Sequence, residues 1–137
     1  MTGLDSNVLA RYYIDDPQDS SAAAQREVAR RLMESGEPLM VCKTVLLELE
    51  WVMRGYYDFS HAETLSAMRH LLGMNHIVVE DRATIELALA HTDAGLDLAD
   101  AIHHASYRSC DRVATFDDRK FARRAQRLAL APRVTVI

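Results

Sequence analysis

The sequence predicts an α/β fold with a mostly parallel sheet and crossover helices. Two observations carry that expectation. Short apolar runs, several of them β-branched, alternate with longer amphipathic segments along all 137 residues, which is the pattern of repeated βαβ units. No repeat, low-complexity stretch or linker interrupts the alternation, so residues 1–137 read as a single domain.

Residues 1–5 read as a short strand ending at Asp5, followed by a helix to about Ile14 that Asp15-Asp16-Pro17 breaks. Asp19 or Ser20 is placed to cap a second helix, which carries Ala24, Val28 and Leu32 and stops at Gly36. Leu39-Met40-Val41-Cys42 reads as a strand, and Thr44 as the cap of a helix carrying Leu47, Glu48, Trp51 and Val52. Ser60 and Glu63 have capping-box spacing and open a helix to about Leu72. Ile77-Val78-Val79 is β-branched throughout and reads as a buried parallel strand. Asp81 is placed to cap the helix of Ile85, Leu87 and Leu89, which ends at Gly95. A further helix covers Leu98 to about Tyr107, Arg112–Thr115 is a strand, Asp118–Leu128 a helix and Arg133–Ile137 a last strand.

The composition, 49% hydrophobic and 26% charged, excludes a disordered chain. No apolar run approaches the roughly 20 residues that span a bilayer, and the N-terminus lacks the basic and apolar regions of a signal peptide. The expected location is therefore the cytoplasm, with no membrane partner. Cys42 and Cys110 have no neighbour at zinc-ligand spacing and read as buried small hydrophobes. The six histidines show no His-Glu-x-x-His arrangement. A net charge of −4 argues against a generally basic nucleic-acid binder, yet residues 119–127 hold five basic residues and no acid. That stretch is either a solvated helix face or a surface for a polyanion.

Four acids stand at the edges of apolar segments: Asp5, Glu48, Asp100 and Asp117. A carboxylate at the edge of a core is costly to desolvate unless it is paired or binds a cation. In open α/β sheets, ligands bind beyond the carboxyl ends of the strands. Asp5 and Asp117 fall at or just past two strand ends, and Glu48 and Asp100 near helix starts. All four are expected to converge on one edge of the sheet, where a hard, oxygen-seeking cation such as Mg²⁺ is the natural occupant.

The segments Leu4-Asp5-Ser6-Asn7-Val8-Leu9, Leu47-Glu48-Leu49-Glu50-Trp51-Val52, Leu98-Ala99-Asp100-Ala101-Ile102-His103 and Ala114-Thr115-Phe116-Asp117 occur in the order of a known family. The chain resembles the PIN-domain ribonucleases, most closely the VapC-type toxins of bacterial toxin–antitoxin pairs. The resemblance implies a three-layer α/β/α PIN-like fold. It also implies that Asp5, Glu48, Asp100 and Asp117 form a catalytic quartet holding Mg²⁺, or Mn²⁺ in its place. The implied activity is metal-dependent endoribonuclease cleavage by an activated water, leaving a 5′-phosphate and a 3′-hydroxyl. The implied partners are an RNA substrate, a cognate antitoxin protein and a second copy of the chain in a homodimer.

Other residues near the quartet read either way. Asp97 is favoured as a helix cap over a further ligand, and Glu50 reads as solvated. Ser6, Asn7 and Thr115 either hold a carboxylate or a metal-bound water, or serve as cap and strand-end residues. His103 reads as structural. Trp51, Tyr56 and Tyr57 are able to stack on bases, although core packing or a dimer contact is favoured for Trp51. Two other classes compete. A receiver-like signalling domain needs paired acids after its first strand, and Asp5 is followed by Ser6-Asn7. An inactive nucleic-acid-binding module of the same fold is disfavoured by the presence of all four acids.

Overall fold

The structure, a computed structural model, describes residues 1–137 as two compact units, Met1–Glu80 and Asp81–Ile137. Parallel strands joined through helices build both units, as an α/β PIN-like fold requires.

The first unit holds a three-stranded parallel sheet of β1 (Thr2–Gly3), β2 (Leu39–Val41) and β3 (Ile77–Val79), in that order. Gly3 pairs with Met40, and Met40 with Val78. α1 (Ser6–Tyr13) and α2 (Ala22–Met33) connect β1 to β2; α3 (Lys43–Trp51), a π-helical turn (Val52–Tyr56) and α4 (His61–Leu72) connect β2 to β3. Leu9, Met33, Leu39, Val41, Leu46, Leu49, Met68 and Leu71 form its fully buried centre. Their spacing explains the helices: Leu46, Leu49 and Met53 follow one face, as do Leu65, Met68 and Leu71. The Ser60 capping box forms in full, with Glu63 N–H donating to Ser60 Oγ at 3.1 Å and Ser60 N–H to Glu63 Oε1 at 3.0 Å. These hydrogen bonds hold the Glu63 carboxyl below its ordinary range.

The second unit pairs β4 (Arg112–Thr115) with β5 (Arg133–Val136) in parallel. It also contains α5 (Arg82–Asp93), α6 (Leu98–Ser106), a π-helical turn (Asp118–Ala122) and α7 (Arg123–Arg127). Its core joins Ile85, Ala88, Leu96, Leu98, Ala101, Ala105, Val113, Phe121, Ala125 and Val134.

Several local expectations need correction. α2 starts after Ser21, because the Asp19 carboxylate instead accepts from the Ser21 N–H and hydroxyl in a local turn. Thr44 lies inside α3, and its hydroxyl is 3.3 Å from Cys42 Sγ. Asp81 occupies the N-cap of α5 in the left-handed region, φ 49°, without a side-chain capping bond. The helix expected over 118–128 divides into a π-helical turn and one short α-helix. β3 is covered on one face only, since Val78 is 46% exposed. Cys42 is half-buried and Cys110 exposed, so neither is a core residue. Trp51 is 67% exposed and packs no core.

A pair of histidines, His104 buried and His91 half-buried, marks the second unit. The rings of His91 on α5 and His104 on α6 lie 6.0 Å apart. His104 is 1% exposed, and its Nε2–H donates to the Pro132 carbonyl at 2.8 Å. A carbonyl only accepts, so the bond fixes that ring's tautomer. Nδ1 of both rings is buried without a partner. Burial, then the neighbouring His104, pushes the His91 pKa below its ordinary 6.5. A base held neutral by the fold contributes stability above its unfolded pKa and loses it as pH falls below that value. The melting temperature of the wild type is therefore expected to fall more between about pH 7 and about pH 5 than that of His91→Gln. Equal losses in thermal melts of both proteins would place the acid sensitivity elsewhere.

Candidate active site

In the first unit the chain leaves β1 and turns into α1 at Asp5. Extended backbone there (φ −86°, ψ 158°) makes Asp5 the N-cap, and its carboxylate accepts from Ser6 N–H at 2.8 Å. The positive end of the helix dipole favours that negative charge. The next side chain, Ser6, is 5% exposed, and its hydroxyl donates to Glu48 Oε1 at 2.5 Å. Ser6 thus ties the start of α1 to α3 and fixes one oxygen of the Glu48 carboxylate. Glu50 points elsewhere, as expected, but is half-buried and paired with Arg54 at 3.3 Å rather than free in solvent.

Asp5 and Glu48 both line a groove of about 1470 Å³, which Arg11, Asp16, Asp19, Gln25, Tyr56 and Tyr57 also border. Hydrogen bonds organise this wall. Tyr57 Oη donates to Asp16 Oδ2 at 2.8 Å, and Arg11 Nε donates to Gln25 Oε1 at 2.8 Å. A second nitrogen of the Arg11 guanidinium is bonded to Asp19. The Ser21 hydroxyl and N–H, with Arg11, hold the Asp19 carboxyl down to about 2.

In the second unit the acids gather around the start of α6. Asp97 has N-cap backbone geometry, yet its side chain makes no capping bond and instead accepts from Arg124 Nη1 at 3.2 Å. The favoured reading of Asp97 as a side-chain cap is corrected on that ground: the guanidinium outcompetes the local backbone donors. Asp100 lies in the first turn of α6. Its pKa is raised above the ordinary 3.8, first by burial, then by the charges of Asp97 and Asp117; His103 and Arg124 pull in the opposite direction. Asp117 ends the segment after β4 and accepts from Lys120 N–H at 2.9 Å, while its own N–H donates to Thr115 Oγ1 at 3.0 Å.

The basic stretch is partly engaged with these acids. Arg124 holds Asp97, and Arg123 lies 3.7 Å from Asp118. Arg127 reaches Gly95: a Cβ there would come 3.3 Å from Arg127 Nη2, and φ of +124° excludes most side chains in any case.

Of the expected quartet, Asp5 and Glu48 belong to the first unit, joined through Ser6, while Asp100 and Asp117 belong to the second and act on each other through their charge. Two acids escaped the sequence reading. Asp16 was taken only as part of a helix breaker. Glu80, one residue past β3, accepts from the first N–H of α3 (Lys43) at 3.0 Å; its place directly after a β-branched strand was the available signal.

No three acidic, histidine or cysteine side chains close on a single point. The donors present still fit a divalent cation. They are all carboxylate oxygens, and Mg²⁺ commonly takes only one or two of these and keeps several waters. The mutual repulsion at Asp100 is what such a cation relieves.

A model of the PIN domain family matches residues 4–127, a range that runs through both units and includes all four acids. No curated protein is similar enough in sequence to be counted as a relative. No helix is long and apolar enough to cross a membrane. PIN domains are generally nucleases that depend on divalent metal ions. With nearly its whole length matched, the chain belongs to the PIN-domain family.

Proposed function

We propose that this chain is a metal-dependent endoribonuclease that acts as the toxin of a toxin–antitoxin pair in the cytoplasm, with residues 1–137 working as one catalytic domain. The catalytic, metal-holding residues in this reading are Asp5, Glu48, Asp100 and Asp117, and the ion is Mg²⁺ or Mn²⁺. The observation that carries it is the acid cluster of the second unit, where burial and the charges of Asp97 and Asp117 oppose ionisation of Asp100. An enzyme keeps such an arrangement where a cation makes it favourable.

A bound divalent ion supplies a more acidic water and neutralises charge on the scissile phosphate. The chain's own groups prepare for it. Ser6 orients Glu48, the α1 N-terminus stabilises the Asp5 charge, and Thr115 with Lys120 N–H fixes Asp117. Arg124 restrains Asp97 and lowers the cost of ionising Asp100. Exposed Arg119 and Lys120 lie two and three residues after Asp117 and present positive charge to a polyanion. Resemblance to the VapC-type toxins supports a cognate antitoxin and a homodimer.

Cleavage is expected to need Mg²⁺ or Mn²⁺ and to be abolished reversibly by EDTA. Asp5→Asn and Asp100→Asn should each lower the rate by at least roughly a hundredfold, with the fold intact by circular dichroism. Glu50→Gln, which touches only the Arg54 pair, should be nearly silent. Undiminished cleavage by rigorously metal-free protein would sink the mechanism, and equal damage from Glu50→Gln and Asp100→Asn would sink the choice of acids.

A stability experiment tests the same cluster without catalysis. A carboxyl whose pKa is raised by folding contributes stability below its unfolded value near 3.8 and loses it as pH rises through the folded value. Without divalent ions, Asp100→Asn should therefore melt higher than the wild type at neutral pH and lose that advantage in acid. Adding Mg²⁺ should raise the wild-type melting temperature more than the variant's. A variant that is less stable than the wild type at neutral pH without metal would contradict the repulsion argument.

A further inference from the structure

Resting on the nuclease reading above, we propose that Tyr56 is a substrate-binding residue that stacks on an unpaired RNA base and sets where the strand lies relative to Glu48.

Three observations within the first unit carry this. Tyr56 lines the groove that Asp5 and Glu48 border, and it is 74% exposed. Tyr56 is also held in place: its ring meets that of Tyr57 edge-to-face at 4.8 Å and 72°, and Tyr57 is anchored through its hydroxyl to Asp16. The ring is thus presented at little conformational cost, with a face open to a planar ligand.

The helix geometry puts Tyr56 in line with the acid. Glu48, Val52 and Tyr56 are spaced four residues apart, and all three line the groove. A regular α-helix would rotate the third of these by about 80° from the first, to the edge of the shared face. The π-helical turn over Val52–Tyr56 takes more residues per turn and brings Tyr56 back onto it. The ring then stands roughly 10–12 Å along the axis from Glu48.

The charge of the groove selects a base rather than the backbone. Asp16 and Asp19 face the single cation Arg11, which they already occupy. Phosphates are repelled from such a wall, whereas an uncharged base is not. Asn7, Gln18 and Gln25 also line the groove and offer amides that can pair with a base edge. Stacking on an aromatic ring tolerates any base, since every base has a π face.

The test uses the full chain in EDTA, so that binding is read without cleavage, and a labelled oligouridine, whose bases are free of one another. Tyr56→Ala should weaken binding roughly tenfold, and Tyr56→Phe by less than about twofold. On an abasic ribose-phosphate oligomer, wild type and Tyr56→Ala should bind alike. In Mg²⁺, Tyr56→Ala should raise KM and leave kcat near the wild-type value. Unchanged oligouridine affinity in Tyr56→Ala overturns the proposal. So does an equal loss on the abasic oligomer, which marks a structural role, or a loss confined to a competing arginine-rich peptide, which makes the groove a peptide site. A wild type that cleaves no RNA refutes the nuclease reading, while the affinity comparison still decides the role of Tyr56.

Discussion

Fixing the direction of carboxylates that stand near the edges of the core is the constraint on which this molecule depends; Asp5, Glu48 and Asp117 are exposed, Asp97 and Asp100 half-buried. The chain meets it locally, acid by acid. Asp5 takes a backbone N–H at a helix start, Asp117 takes another across its own turn, Glu48 takes a serine hydroxyl from α1, and Asp97 takes a guanidinium. Each donor fixes a direction as well as a charge. Asp100 differs, because its surroundings oppose its ionisation.

Much of this was legible in the sequence because it follows from short-range rules. Alternation of β-branched runs with amphipathic segments gave the parallel α/β architecture, and Ser60 with Glu63 gave a capping box that forms as expected. The edge positions of Asp5 and Asp117 followed from the ends of apolar runs. What stayed hidden involves choices between competing partners. Asp97 has the position and backbone of a cap, but an arginine 27 residues later in the chain takes its carboxylate. Asp19 was placed to cap a helix and closes a turn on Ser21 instead. No local pattern decides such contests, since the winning donor lies two residues away in one case and 27 in the other.

The π-helical turns were hidden for a different reason. Hydrophobic periodicity distinguishes helix from strand but cannot resolve one extra residue in a single turn. Both turns adjoin a motif acid's element: one continues α3 beyond Glu48, the other begins directly after Asp117. Inserting a residue in a helix re-aims everything after it, so a small local irregularity resets which side chains share a face.

The chain has a single tryptophan, and Trp51 stands on the outer face of α3 with its indole 3.9 Å from where a Cβ on Gly55 would be. At 67% exposure its fluorescence in the folded state is already close to that of an indole in water. Heating or denaturant will shift its emission little, so unfolding is better followed by the far-ultraviolet helix signal. The same exposure makes the indole a selective reporter of another kind: a blue shift at constant helicity signals that something has covered the outside of α3.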